Sequence, residues 1–189
     1  MRSVFAAGMA LALVITTTTM FAQAGKAAAP AAAAGGPHVI IETAKGSIEI
    51  ETSNDAPKSV EHFLALAKKG FYRGQRFHWV KDGVAQAGDP LSRDLTKRQE
   101  WGTGGSGPRN SNNPIGVAEP AKRKFERGSV GLAYRTGYKP ETADSQFFIL
   151  GGPNPALDGK YAMLGKVVKG MDVVDKLEVG DSIKMVTVK

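Results

Sequence analysis

The chain contains no cysteine, which excludes disulfide staples, thiolate nucleophiles, cysteine-ligated metals and a lipid-modified cysteine. Stability must therefore come from packing. Histidine is nearly as scarce. His38, His62 and His78 are the three present, and their spacing to one another and to carboxylates does not match a ligand set, so no metal is expected. Ser145 lies outside any nucleophile-elbow setting, and no Ser-His-Asp arrangement follows from the spacings, which leaves hydrolytic chemistry without support. A hydrophobic run of membrane length is missing too. The apolar stretch from Val4 to Ile15 is too short and too Ala-rich to span a bilayer comfortably, and nothing longer follows it.

What the N-terminus does contain is one basic residue, Arg2, that apolar stretch, and a Thr-rich segment closing on "FAQA". This is the layout of a secretory signal peptide, residues 1–24, with cleavage expected after Ala24; an uncleaved anchor is the alternative. Residues 25–37, "GKAAAPAAAAGGP", are nearly pure Ala, Pro and Gly and read as a linker. Residues 38–189 are then one domain, expected to be exported to the periplasm or secreted, and monomeric, without stable membrane insertion after cleavage. The formal charge is +7, with one basic cluster at "KRKFER", Lys122 to Arg127. Nucleic acid is not an expected partner of an exported chain, so the cluster reads as a solvated loop.

"HVIIETAKGSIEIET" gives two alternating segments around Ala44-Lys45-Gly46, a hairpin signal, with Ile48 and Ile50 facing one side and Ser47, Glu49 and Glu51 the other. "NDAPKSVEHFLALAKKG" predicts a helix: Asp55 suits an N-cap, Pro57 a first turn, Val60, Phe63, Leu64 and Ala67 recur at helical spacing, and Gly70 stops it. Short strands separated by glycines follow, "RFHWV", "GVAQA", "GSVGLAY", "SQFFIL", "YAMLGKVV" and "IKMVTV", with a second helix predicted at "GMDVVDKLEV". Many strands with two helices fit an antiparallel barrel or sandwich better than a parallel sheet, which needs a crossover between each pair. Closure is attractive because it removes exposed edges. Leu91 to Arg127 has almost no periodicity and predicts an ordered excursion over one side of the sheet. Within it "GTGGSG", Gly102 to Gly107, matches the dinucleotide-binding pattern, but it follows no strand and precedes no helix, so it reads as a flexible turn.

In "DSQFFILGGPNPALDGKYAMLGKVVKGMDVVDKL", Asp144 to Leu177, the chain resembles the cyclophilins, the barrel-shaped peptidyl-prolyl cis-trans isomerases. "NDAPKSVEHFLALAKKGFYRGQRFH", "VAQAGDP", "GTGGSG" and "ERGSVGLA" match further landmarks in order, so the resemblance runs from Val39 to Val188. It implies a mainly β fold, a closed eight-stranded antiparallel barrel capped by two α-helices. It also implies proline-containing polypeptide segments as partners and no cofactor. By the same resemblance Phe148 is the aromatic floor of a proline pocket, Leu132 and Leu157 are apolar walls, and Val84 is a wall residue. Gln146 hydrogen-bonds the substrate backbone, Tyr161 stands where members carry His or Tyr, and Ala156 stands where many carry Trp.

The chemistry asks for little else. An X-Pro bond rotates over a barrier of about 18–20 kcal/mol because rotation breaks amide resonance. A catalyst needs a surface that binds the twisted amide better than either planar form, built from a pocket for the ring and a donor near the prolyl amide. At that donor the chain departs from the family. The family's Phe-His-Arg is Phe77-His78-Trp79 here, and the segment to Gln86 is one residue short. An indole offers one N–H and no charge, so it does not replace a guanidinium. Strand parity puts Phe77, Trp79 and Lys81 on one face, which makes Lys81 a candidate replacement donor, with Arg135 as another. The expectation is an isomerase assisting the folding of exported proteins with reduced activity; the alternative is a non-catalytic proline-segment binding module or holdase.

Overall fold

The computed structural model describes residues 35–189. The signal-peptide expectation, and that for the linker up to residue 34, fall outside them. Eight strands form one antiparallel sheet: β1 (His38–Thr43), β2 (Gly46–Thr52), β3 (Trp79–Lys81), β4 (Val84–Ala87), β5 (Ser129–Leu132), β6 (Phe147–Leu150), β7 (Ala162–Lys169) and β8 (Ile183–Val188). Their order across the sheet is β3-β4-β6-β5-β7-β2-β1-β8.

The sheet curls into a half-barrel and does not close, which corrects the expectation of a closed barrel. β3 and β8 are its two edges. β3 has only three residues, and all three pair with β4. The edges approach just ahead of both strands, at an isolated bridge between Arg76 and Ser182. There Gly74 N donates to Ile183 O at 2.8 Å and Phe77 N to Asp181 O at 2.9 Å.

One helix, α1 (Pro57–Lys68), covers the hollow and buries Val60, Phe63, Leu66 and Ala67. Proline opens it as predicted, but the expected Asp55 cap is replaced. Ala56 occupies the N-cap and makes no side-chain bond. The free N–H groups of Lys58 and Ser59 instead donate to the Glu119 carboxylate at 3.1 and 2.8 Å, so the excursion caps the helix from a distance. The second predicted helix shrinks to one turn, α2 (Met171–Val174). Beyond it Lys176 N and Leu177 N donate to carbonyls three residues back, and Gly180 turns the chain at φ 103°.

Strand alternation sorts the apolar side chains into two clusters. Inside the curl lie Ile41, Ile48, Ile50, Phe63, Tyr72 and Phe147 with their neighbours; Phe63, Tyr72 and Phe147 stack edgewise or tilted with centroids 5.4–5.5 Å apart. Outside, Phe148, Leu150 and Met163 pack under Ala121 and Phe125. The last part of the excursion therefore lies over the outer face, while Ile115 packs against the inner cluster and Glu119 reaches α1, so the expectation of an excursion over one side holds only in part. Central strands β5 and β6 are buried throughout because both of their faces are covered.

Candidate functional site

The outer cluster forms the floor of an open cleft of about 600 Å3. Its position follows from register, since residues directly opposite in an antiparallel ladder share a face. Trp79 pairs with Gln86, Gln86 with Phe148, and Phe148 with Gly131. This row crosses the outer face from the free edge to the middle of the sheet. Phe148 is buried to all but 4 %, and its ring fits over Gly131, where a Cβ would stand 2.7 Å from Cε1 and 2.8 Å from Cε2. Phe125 and Tyr161 flank the ring at 5.8 and 5.5 Å. Tyr161 stacks on Tyr134 at 4.5 Å. Burial, then the neighbouring Tyr134, raise the Tyr161 phenol above its ordinary value, so it stays protonated and able to donate.

A glutamine pair forms the polar side. Gln86 Nε2 donates to Gln146 Oε1 at 2.9 Å, while Gln146 Nε2 donates to the carbonyls of Gly102 and Gly104 at 3.0 and 2.9 Å. "GTGGSG" is thus a packed wall, correcting its reading as a flexible turn. Two carboxylates hold it. Asp89, fully buried, accepts from the N–H groups of Gly102 and Leu91. Asp144 accepts from Ser106 N at 2.6 Å, Ser106 Oγ at 2.5 Å, Asn113 N at 2.9 Å and His62 Nε2 at 3.0 Å. Side chains at Gly104 and Gly105 would collide with these carboxylates, so the glycines serve close approach. Burial alone would raise the Asp144 pKa; the bonds from His62, Ser106 and Asn113 outweigh it and hold the carboxyl below its ordinary value. His78, behind Gly102, is lowered by desolvation, against the pull of Asp89.

Of the residues singled out in the sequence, Phe148, Gln146, Val84, Leu157 and Tyr161 line the cleft together. Leu132 does not: β5 points Gly131 and Ala133 outward and Leu132 into the inner core, where it is fully buried. Phe77 also lies in that core. It precedes β3, and the irregular stretch at Phe77 and His78 breaks the alternation that would have put it beside Trp79. Trp79 and Lys81 are on the cleft's face, opposite Gln86 and Val84, but outside its lining. Trp79 is 51 % exposed, and the Lys81 ammonium lies 3.9 Å from Asp82. Arg135 is part of the lining, together with Tyr134, Thr136 and Tyr138 of the loop after β5. Sequence reasoning missed Gln86, although its parity with Val84 in "VAQA" would have found it. The loop tyrosines carry no periodic signal.

Comparison with known proteins identifies relatives of the chain. The family model described as cyclophilin type peptidyl-prolyl cis-trans isomerase/CLD matches residues 38–189. A probable peptidyl-prolyl cis-trans isomerase of Brucella abortus is 39% identical over 153 residues, covering 80% of this chain and 76% of that protein. A peptidyl-prolyl cis-trans isomerase of Helicobacter pylori is 38% identical, covering 79% and 85%. Among solved structures, a cyclophilin type peptidyl-prolyl cis-trans isomerase of Cryptosporidium parvum superposes with a TM-score of 0.66 at 27% identity, covering 81% of this chain and 97% of that one. The same protein solved in the presence of the dipeptide Ala-Pro gives a TM-score of 0.65 at 27% identity, covering 80% and 98%.

Proposed function

The chain belongs to the cyclophilin type peptidyl-prolyl cis-trans isomerases, and on that premise we propose that its outer-face cleft binds proline-containing segments of exported proteins and speeds their cis-trans interconversion at a reduced rate. The observation that carries the reading is the meeting, in one open cleft, of a ring-sized apolar floor and a fixed polar side. Phe148, Val84, Leu157 and Tyr161 supply the first, and the Gln86–Gln146 pair supplies the second. A proline ring seated on Phe148 holds one end of the amide, and the glutamine side positions the backbone on the other. Rotation about the bond between them is favoured only if the twisted state is bound better than the planar ones.

Reduced rate follows from the donor. Where the family pattern has arginine, Trp79 stands at the rim, half-exposed and outside the lining. Losing one preorganised donor lowers a rate by about a hundred- to a thousand-fold. The same feature favours the second reading, a module that grips proline segments without turnover. NMR exchange of a short Ala-Pro peptide with the mature protein separates the two. Faster exchange that Phe148→Ala abolishes supports the isomerase. Resonance shifts on binding with exchange at the uncatalysed rate support the module.

A further inference from the structure

Two charged side chains line the cleft, Asp144 and Arg135, and they differ in what already binds them. The Asp144 side chain is 2 % exposed, and its carboxylate oxygens accept from His62, Ser106 and Asn113. Arg135 has no carboxylate within ion-pair distance among the described residues. Its guanidinium carbon lies 5.7 Å from the centre of the Tyr138 ring. The loop that carries both is closed by Tyr138 N donating to Arg135 O at 2.9 Å and turns at Gly137, φ 83°. A cation held over an aromatic face at a cleft wall keeps its N–H groups for a ligand. Asp144 keeps its charge, but its oxygens are buried and already occupied by donors, so Arg135 is the charged side chain of the lining left to pair with a ligand.

We propose that Arg135 is a specificity-determining residue that selects proline-containing segments carrying a carboxylate on a residue flanking the proline, a proposal that rests on the cleft being the proline-segment site. Four short peptides test it, with Glu or Lys placed immediately before or after the proline. Each catalysed exchange rate is divided by the peptide's own uncatalysed rate, and Kd is read from chemical-shift titration of the same samples. At low salt the Glu peptide should be favoured over its Lys counterpart by roughly five- to tenfold at one of the two positions, falling toward unity near ~1 M salt. Arg135→Lys should keep most of the preference and Arg135→Glu should invert it. A ratio near unity at both positions in the unmodified protein would overturn the proposal. So would a ratio unchanged in Arg135→Glu, including the case where all four peptides slow equally, which would make Arg135 a general donor to the prolyl amide. If nothing turns over, the isomerase reading fails while the Kd ratio still decides the role of Arg135. If no proline peptide binds at all, the site reading falls and this inference with it.

Discussion

Replacing Gly131 with alanine adds one methyl group, and the structure specifies where it goes. Gly131 lies opposite Phe148 in the β5–β6 ladder, and its new Cβ would collide first with ring Cζ, then stand 2.7 Å from Cε1 and 2.8 Å from Cε2. Ordinary carbon contacts are about 3.5–4.0 Å, and ring Cζ is closer still than Cε1 and Cε2, so the ring must retreat by more than about 1 Å. Phe125 and Tyr161 close off two sides, and the open direction is into the cleft. Overpacking of this kind costs about 1–3 kcal/mol, which in a domain this size lowers Tm by roughly 2–12 °C. A misplacement of ~1 Å at the floor of the site is expected to lower kcat/KM by about a hundred-fold. Gly131→Ala should thus lose far more activity than stability, read by peptide exchange at a temperature well below both melting points. A variant that melts lower yet isomerises at the unmodified rate would show that the Phe148 ring does not seat the substrate, and the account of the cleft would fail.

Trp79→Arg restores a guanidinium on the cleft's face at an exposed position, and should raise kcat/KM by at least about tenfold with little change in Tm; an unchanged or lower rate would remove the missing arginine as the cause of reduced activity. Glu119→Ala leaves two N–H groups of the first turn of α1 without their carboxylate, so urea unfolding should show a loss of about 1 kcal/mol. Asp144 titrates below its ordinary value in the folded chain, so the stability it contributes is complete above the ordinary aspartate range and is lost as pH falls through the folded value. Asp144→Asn should therefore melt lower at neutral pH and show a shallower fall of Tm below about pH 4 than the unmodified protein; parallel curves would contradict the assignment.

Most of this architecture was legible as pattern. Ile48 and Ile50 alternate with Ser47 and Glu49, Pro57 opens a helical stretch, and the glycine-rich excursion announces itself by lacking any period. Legibility ended where contacts span many residues or where a strand's first residue matters. Glu119 caps α1 across about sixty positions, which no local signal encodes, and the second helix ended early because its last turn tightened. Leu132 and Gly131 exchange faces if β5 is imagined one residue out of phase, and a string such as "GSVGLAY" does not fix that phase. Phe77 misled for a related reason, since the run "RFHWV" looks continuous whereas the chain makes a bridge at Arg76, breaks, and begins β3 at Trp79. Tyr134 and Tyr138 reach the cleft through tertiary placement alone, whereas Arg135, a candidate from its place after "GLAY", does line it.

The composition of β6 has a consequence for how the chain finds its native pairing. Its four residues, Phe147 to Leu150, consist of two phenylalanines followed by two aliphatics. A slip by one residue would exchange inner and outer side chains without changing the chemical character of either face, so hydrophobic burial alone discriminates poorly between the two alignments. The discrimination falls to the polar residues just ahead of the strand. Ser145 Oγ donates to Gly88 O at 2.7 Å, and Gln146 is tied to the loop carbonyls; a strand slipped in either direction forfeits these bonds, and a slip that brings Ile149 opposite Gly131 also loses the phenylalanine that fits there. Proofreading of the sheet and assembly of the cleft are thus performed by the same side chains, and recovery of peptide turnover after refolding would count only molecules aligned correctly.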